Sequence, residues 1–311
     1  MVFLATDLRP LRGSTDDRLL RLAADTGAAG VHVAGGCDLS IVPVFTAAAA
    51  RLGLEARTIV LPMTEQPLAK GRRLPWLSAA APDERDAAVA LAVAGLEMGA
   101  ASGARLALLD FGPVPLAARE VDFARAFARR ETIDEAGDTD YASLPVWAAA
   151  IGERRARAEQ VLDSCGFALD RLARVAERLS ATLVLPVAAT PWQAPSPREA
   201  GLLLDRFAGA PLGVVWDPGR LSALAALGLA ISDERLAALA ATAVLALDND
   251  AVGMQSGYLP GLGERDARVA ALRPRDGIAR VITGEPDATD AEIATAVDLA
   301  QNPQRVPNLP R

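Results

Sequence analysis

Residues 82–110 read PDERDAAVALAVAGLEMGAASGARLALLD, a helix-like segment followed by a short hydrophobic one. The first residues, Pro82, Asp83 and Glu84, are typical of a helix N-terminus, where proline and acidic side chains are favoured. The alanine-rich body predicts a helix over residues 83–102. The nearly continuous apolar run after it predicts a strand over residues 105–110, of the kind that is buried on both faces of a parallel sheet.

The same alternation runs through the whole chain. Short apolar segments predict further strands at residues 2–5, 30–34, 57–61, 182–187, 213–217, 244–248 and 280–284. Segments with helical periodicity lie between them, including residues 153–180, 197–208 and 232–242. A series of eight β-then-α units favours an α/β fold, a closed (β/α)8 TIM barrel, over an open doubly wound sheet.

The chain is interpreted as one TIM-barrel domain over residues 1–311, because no low-complexity linker divides it. Such a barrel needs about 250 residues. The excess is explained by a long excursion at residues 111–152, which contains the charged run ARRETIDEAGDTDY, and by an irregular, proline-rich tail at residues 302–311. Excursions of this length are either functional loops or poorly ordered segments.

Composition excludes several classes of function. A net charge of −7 argues against a nucleic-acid binder, which normally has a basic face. Two cysteines provide neither a disulfide framework nor a metal-binding pair, and they indicate a reduced, intracellular protein. No secretory signal pattern opens the sequence and no apolar run is long enough to cross a membrane, so we expect a cytoplasmic protein without a membrane partner.

Two residue types are nearly missing. Lys70 is the only lysine, so a Schiff-base aldolase would depend on it, and it lies in a turn-like stretch rather than on a strand. His32 is the only histidine, so no site with several histidine ligands can exist. A Ser-His-Asp triad would depend on the same residue.

The carboxyl ends of the strands are where barrel enzymes place their chemistry. The polar residues predicted there are Asp7, His32, Asp110, Asp217, Asp248 or Asp250, and Glu285. Asp217 and Glu285 form the best pair, since strands six and eight flank strand seven. Three of these candidates also have a local interpretation: Asp217 can cap the turn that it opens, Glu285 can cap a helix, and His32 can be a hydrogen-bonded core residue.

Candidate substrate-binding residues lie near the same strand ends. Arg220 could clamp a carboxylate or phosphate, or could simply pair with Asp217. The glycine-rich stretch after strand seven, with Gly261 and Gly263, offers backbone that can approach a ligand, although it matches no nucleotide-binding fingerprint. The other candidates are Asp250 and two tryptophans that could stack on a sugar or belong to the core, Trp76 and Trp192.

Three segments are similar to motifs of the xylose-isomerase-like TIM-barrel superfamily, which includes sugar isomerases, sugar epimerases and AP endonuclease relatives. Val214-Val-Trp-Asp-Pro-Gly-Arg220 resembles the strand-six D-x-G-H motif. Leu245-Ala-Leu-Asp-Asn-Asp-Ala-Val-Gly253 resembles the strand-seven H-x-K-D segment, and Leu259-Pro-Gly-Leu-Gly-Glu264 the P-G-x-G-E/D loop that follows. The resemblance extends over residues 1–301 and implies a divalent metal, Mn²⁺ or Mg²⁺, held by a Glu, an Asp, a His and a Glu on strands five to eight.

Only part of that ligand set is present. The resemblance assigns Asp217 and Glu285 to the strand-six and strand-eight ligands. Strand five ends in LVLPVAA without a glutamate, the strand-seven histidine falls at Leu245 or Leu247, and the histidine of D-x-G-H is Arg220. Two carboxylates make a poor Mn²⁺ or Mg²⁺ site. The guanidinium of Arg220 could supply the positive charge that a metal would otherwise provide.

Two hypotheses follow. In the first, the chain is a divergent isomerase or epimerase acting on a sugar or sugar phosphate, with Glu285, Asp217 and His32 as catalytic residues and a sugar-like or anionic ligand. In the second, it is a non-catalytic relative that serves as a small-molecule binder or partner subunit. An apolar helix face could form a homodimer. The AP endonuclease branch does not fit an acidic chain without the histidines of a three-zinc site.

Overall fold

The computed structural model describes residues 1–8, 17–34, 39–63, 74–123, 145–229, 231–252, 255–284 and 286–302. Several features singled out above lie wholly or partly outside these residues: Lys70, residues 124–144 of the excursion, Gly253 at the end of the strand-seven motif, Glu285, and residues 303–311 of the tail.

Eight parallel strands close into a barrel, as the alternating pattern predicts. They are β1 (Val2–Ala5), β2 (Gly30–Val33), β3 (Glu55–Leu61), β4 (Leu106–Leu109), β5 (Thr182–Leu185), β6 (Leu212–Trp216), β7 (Ala243–Asp248) and β10 (Ala279–Ile282). Strand β10 pairs with β7 on one side and with β1 on the other, which closes the ring. The prediction of a (β/α)8 TIM barrel is confirmed.

Helices alternate with the strands along the chain. They are α1 (Arg18–Asp25), α2 (Ile41–Arg51), α3 (Pro82–Ala101), α4 (Pro145–Ala156), α5 (Ala158–Leu179), α6 (Pro197–Arg206), α7 (Pro218–Ala226), α8 (Asp233–Thr242), α9 (Ala267–Ala271) and α10 (Asp290–Gln301). The segment interpreted from sequence as one helix over residues 153–180 is divided at Arg157, whose backbone (φ −99°, ψ 4°) departs from helical values.

The strands are apolar because both of their faces are buried. Alternate side chains fill the barrel interior and form one buried cluster: Phe3, Ala5, Leu108, Val184, Val215, Leu245, Leu247, Ala279 and Val281. The intervening side chains pack against the helices in a second, larger cluster. Side chains on a strand alternate between its two faces, so a residue two positions after an inward side chain lies on the same side. Residues at such positions just beyond each strand therefore lie on the side of the barrel interior, toward its mouth.

A β-hairpin follows β7, and the sequence patterns above do not predict it. Its strands are β8 (Asp250–Val252) and β9 (Gln255–Tyr258), which pair antiparallel. A further bridge joins Ala251 to Glu264. The hairpin packs against α7 and forms one side of the mouth. Among the described residues, no helix has the length and apolar character needed to cross a membrane.

Candidate functional site

Asp217 links the end of β6 to the start of α7. Its Oδ1 accepts a hydrogen bond from the backbone N–H of Arg220 at 2.9 Å, so Asp217 caps the helix that begins at Pro218. The residue is only 1% exposed. Burial raises the pKa of its carboxyl, while the charge of Arg220, backbone and Asn249 hydrogen bonds and the charge of Arg265 oppose that rise. The local capping interpretation of Asp217 is therefore realised in the structure.

Arg220 lies beside the same carboxylate. Its Nε is 3.3 Å from Oδ2 of Asp217, and its side chain is 37% exposed. One carboxylate thus both caps the first turn of α7 and orients a guanidinium on that turn. Among the described residues no acceptor takes a hydrogen bond from either Nη group of Arg220, and these groups can donate to a ligand.

Asn249 connects three strand ends. Its Oδ1 accepts a hydrogen bond from the backbone N–H of Gly219 at 2.8 Å, and its Nδ2 donates to Thr283 Oγ1 at 3.0 Å. Its side chain also hydrogen-bonds Asp217. The sequence patterns pointed to the neighbouring acids and not to this residue. The signal that could have found it is the alternation beyond β7: Leu247 faces the barrel interior, and Asn249, two residues later, lies on the same side.

Asp248 and Asp250 lie on either side of Asn249 and have different hydrogen-bond partners. Asp248 pairs with Arg280 through two hydrogen bonds, from Nε at 2.7 Å and from Nη2 at 2.9 Å. Arg280 also donates to the carbonyl of Ala300 at 2.8 Å. This ion pair ties β7 and β10 to the end of α10, and Asp248 has a structural partner on each of its oxygens.

Asp250 organises the loop that follows the hairpin. Its Oδ1 accepts from Arg265 Nε at 2.5 Å, and its Oδ2 accepts from the backbone N–H of Gly261 at 2.6 Å. Gly263 packs so closely that an added Cβ would lie 2.7 Å from the carbonyl oxygen of Ala251. The two glycines predicted to approach a ligand thus hold the loop against the hairpin.

His32 lies inside the barrel, below the mouth. Its Nδ1 is 2.7 Å from Thr58 Oγ1, and the residue is 2% exposed. Burial lowers the pKa of the imidazole to about 4, so the ring is neutral at pH 7. The hydrogen-bonded core interpretation of His32 agrees with these contacts.

Asp7 follows β1, the neighbour of β10. The residue is exposed, while the protein packed around its carboxyl shields that group from part of the solvent and raises its pKa to about 6. Backbone hydrogen bonds, first among them one with Leu8, oppose the shift. A carboxyl group with a pKa near neutrality at the mouth of a barrel has the property that general acid–base chemistry requires.

The two candidate tryptophans have different surroundings. Trp76 is half-buried and lies over the turn after β4. A Cβ added to Gly112 in that turn would lie 2.3 Å from Cγ of Trp76. Gly112 has φ +77°, and its N–H donates to Oδ1 of Asp110 at 2.9 Å. Trp76 keeps accessible surface beside an exposed carboxylate at the mouth.

Trp192 is instead part of the core. Its ring packs at centroid distances of 5.5 Å from Phe123 and 5.8 Å from Trp147, and it is 3% exposed. Its Nε1 donates to the carbonyl of Ala118 at 2.5 Å. The ring is used in packing the excursion against the loop after β5, and it offers no open face to a sugar.

The described residues do not fit the divalent metal that the fold family implies. Leu245 and Leu247 fill the interior of the barrel, and β5 ends at Leu185 and is followed by Pro186. Across the residues that the structure describes, no three His, Cys, Asp or Glu side chains come together as a metal site would require. Asp217 and Asp250 each face an arginine.

Solved structures share this architecture. The chain has a TM-score of 0.62 and 14% identity to the 3-keto-D-glucoside 4-epimerase of E. coli, covering 97% of this chain and 98% of that one. It has a TM-score of 0.63 and 11% identity to the D-allulose 3-epimerase of Methylomonas sp., covering 98% and 97%. A xylose isomerase domain protein of Planctomyces limnophilus gives a TM-score of 0.58 at 14% identity, covering 97% and 96%.

Sequence comparison gives no relative. No protein-family model matches the chain, and no curated protein matches it. The structural similarities confirm the resemblance to xylose-isomerase-like TIM barrels at the level of the fold.

Proposed function

We propose that this xylose-isomerase-like barrel binds a sugar-like small molecule at its carboxyl-terminal mouth and acts on it as an isomerase or epimerase. The observation that carries the proposal is the cluster of Asp217, Arg220 and Asp250 beyond β6 and β7, with Asp7 following β1 in the same half of the ring of strands. This is the end at which (β/α)8 enzymes carry out their chemistry.

The proposed reaction is proton transfer at the carbon next to a carbonyl. A carboxylate removes that proton, the electron pair moves to the carbonyl oxygen, and an enediolate forms. Return of a proton to the opposite face of the same carbon gives the epimer. Return of a proton to the former carbonyl carbon, while the hydroxyl proton of the first carbon moves to the former carbonyl oxygen, gives the isomer. Carboxyl groups of tuned pKa and a cation near the enediolate oxygen lower the barrier of such a reaction.

The residues of this chain can be assigned to those roles. We assign proton transfer to Asp7, whose pKa lies at about 6, and to Glu285, which follows β10 beside β1 in the ring. Arg220 would bind the ligand oxygen, with Asp217 as the positioning residue that orients it. Trp76 would form a stacking wall, and Asp250 with Gly261 and Gly263 would shape the rim.

His32 has a supporting role in this proposal. A neutral, buried imidazole that is hydrogen-bonded to Thr58 supports the floor of the mouth from inside the barrel. No step is assigned to a metal ion, because the described donors do not form a metal site.

Deuterium exchange tests the proposal directly. The purified chain, without a histidine tag, is incubated in D2O with D-allulose, L-ribulose and the corresponding sugar phosphates, and deuterium at the carbon beside the carbonyl is followed by NMR. We expect incorporation with at least one substrate. Asp7→Asn and Glu285→Gln should each lower its rate by about 10²- to 10⁴-fold. Asp170→Asn, an exposed change on α5, is the matched control and should leave the rate unchanged.

The second candidate function is a non-catalytic ligand-binding barrel. The observation that favours it is the burial of Leu245 and Leu247 on β7, where the family's metal-binding histidine would lie. Ligand binding detected by saturation-transfer NMR, together with no exchange on any substrate, would support this candidate and contradict the isomerase proposal.

Location and assembly remain predictions of the sequence. A cytoplasmic location is supported by the low cysteine content, and the one cysteine among the described residues, Cys165, is buried and free. A homodimer can be tested by analytical ultracentrifugation.

A further inference from the structure

Two ion pairs on adjacent turns neutralise two buried carboxylates of the mouth. Asp217 pairs with Arg220 on the turn after β6, and Asp250 pairs with Arg265 beside the hairpin. The turns are in close contact, since a Cβ added to Gly219 would lie 2.7 Å from the carbonyl oxygen of Asp250. Two carboxylates at the end of a barrel normally require a cation or a proton between them. Here two guanidinium groups supply the positive charge.

The two arginines keep donors that the protein does not use. Arg265 donates through Nε to Asp250, and within the described part of the chain neither it nor Arg220 donates an Nη hydrogen bond to protein. Arg280 is different, because it donates through Nε and both Nη groups to Asp248 and Ala300. The side chains of Arg220 and Arg265 are also 37% and 32% exposed.

We infer that Arg220 is the contact residue for an oxyanion, a carboxylate or phosphate group, on the ligand of this site, and that the site binds it without a divalent metal. This inference rests on the proposed function, because it names the substrate class of the same mouth. The ion pair with Asp217 lies on the Nε side of Arg220 and leaves the Nη edge for two parallel hydrogen bonds to an oxyanion, the arrangement that guanidinium groups favour.

Arg265 acts through charge rather than through contact. It neutralises Asp250, and its charge also acts on Asp217. Without Arg265 the mouth would carry an unpaired buried carboxylate that repels an anionic ligand. Arg265 is therefore a positioning residue, and its loss should change the salt dependence of binding as well as the affinity.

Calorimetric titration in the presence of EDTA tests the inference. The probes are inorganic phosphate, D-glucuronate as a sugar carboxylate, and neutral D-allulose. We expect at least one of the two anions to bind and Arg220→Gln to weaken that binding by about 10- to 100-fold. Arg220→Lys, which keeps the charge but not the fork, should give an intermediate loss. Arg174→Gln, an exposed change on α5, should have no effect.

Arg265→Gln gives an independent arm. It should weaken anion binding by a smaller factor, and the loss should diminish as salt is raised, because the repulsion from Asp250 is then screened. A loss for Arg265→Gln that is the same at all salt concentrations would contradict the charge role.

The outcomes separate this inference from the proposed function. Anion binding that needs Arg220 but no EDTA-sensitive ion supports the inference even if no substrate exchanges deuterium. Unchanged anion binding in Arg220→Gln overturns it. Deuterium exchange of neutral D-allulose, with no binding of either anion, also overturns the inference and leaves the proposed function standing. Anion binding that disappears with EDTA and returns with Mn²⁺ has the same two consequences.

Discussion

The side-chain oxygen of Asn249 lies 2.8 Å from the backbone nitrogen of Gly219, so the turn after β7 is hydrogen-bonded to the turn after β6. Asp217 and Arg220 lie on the same turn as Gly219, and Asp250 is the next residue after Asn249. This one contact therefore fixes the relative position of the two ion pairs at the mouth. It also explains why glycine occurs at position 219, since a Cβ there would lie 2.2 Å from Asn249 Oδ1.

Gly219→Ala is expected to destabilise the protein by about 1–3 kcal/mol, because the added methyl group displaces Asn249 in a packed region. The measurement is urea-induced unfolding followed by circular dichroism. Gly201→Ala, on α6 with no atom within 4 Å of the added Cβ, is the control. It should stabilise by about 0.5–1 kcal/mol, because alanine is the better helix former. Equal effects of the two changes would contradict the packing role of Gly219.

His32 should remain neutral well below the usual pKa of histidine, because burial lowers its pKa from 6.5 to about 4. It is the only histidine in the chain, so the one set of imidazole signals in the NMR spectrum belongs to it, provided that no histidine tag is present. The chemical shifts should stay constant from pH 8 to about pH 5. A titration midpoint near 6.5 would show that water reaches the ring.

The same pKa shift has a consequence for stability. The unfolded chain binds a proton at His32 below pH 6.5 while the folded chain does not until about pH 4, so stability is lost as the pH falls through this window. The full effect is about 3 kcal/mol. His32→Gln, which keeps a hydrogen-bonding side chain beside Thr58, should lose less stability than the wild type between pH 7 and pH 4.5 in urea unfolding.

Asp7 should show the opposite pH dependence from a salt-bridged acid. Its pKa is raised from 3.8 to about 6 in the folded state, so the folded chain binds the proton more tightly. Its contribution to stability is therefore lost as the pH rises from about 4 to 6. Asp7→Asn, which resembles the protonated form, should gain in thermal stability relative to wild type across this range and keep a constant difference above it. A difference that does not vary with pH would contradict the shift.

Arg154 and Glu199 form a buried ion pair at 2.5 Å, with side chains 10% and 7% exposed. Glu199 also completes the capping box of α6 with Ser196. Glu199→Gln leaves the Arg154 guanidinium buried without its counter-charge and is expected to destabilise by about 3–5 kcal/mol. The control is Glu97→Gln in the exposed pair with Arg178, where we expect less than about 1 kcal/mol. Thermal and urea unfolding of both variants measure the difference.

The fold could be predicted from sequence because its signals are local. Each short apolar run is buried on both faces, and each intervening segment has helical periodicity. The order of strands and helices can therefore be predicted from the sequence. The ends of the predicted strands also placed Asp7, Asp217 and Glu285 at the expected mouth of the barrel. The hairpin of β8 and β9 could not be predicted in this way, because its strands read DAV and QSGY and lack the continuous apolar run that marks each barrel strand.

The sequence by itself determined that this protein is a (β/α)8 barrel and which polar residues follow its strands, because both depend on patterns within about ten neighbouring residues. Only the tertiary structure decided what those residues contact. Arg265 reaches Asp250 across 15 positions and Asn249 reaches Thr283 across 34, while Trp192 turns into an aromatic core rather than the mouth. Closure of the ring brings β10 beside β1 and β7. The side-chain contacts that this closure creates join distant parts of the chain, so no periodic pattern in the sequence predicts them.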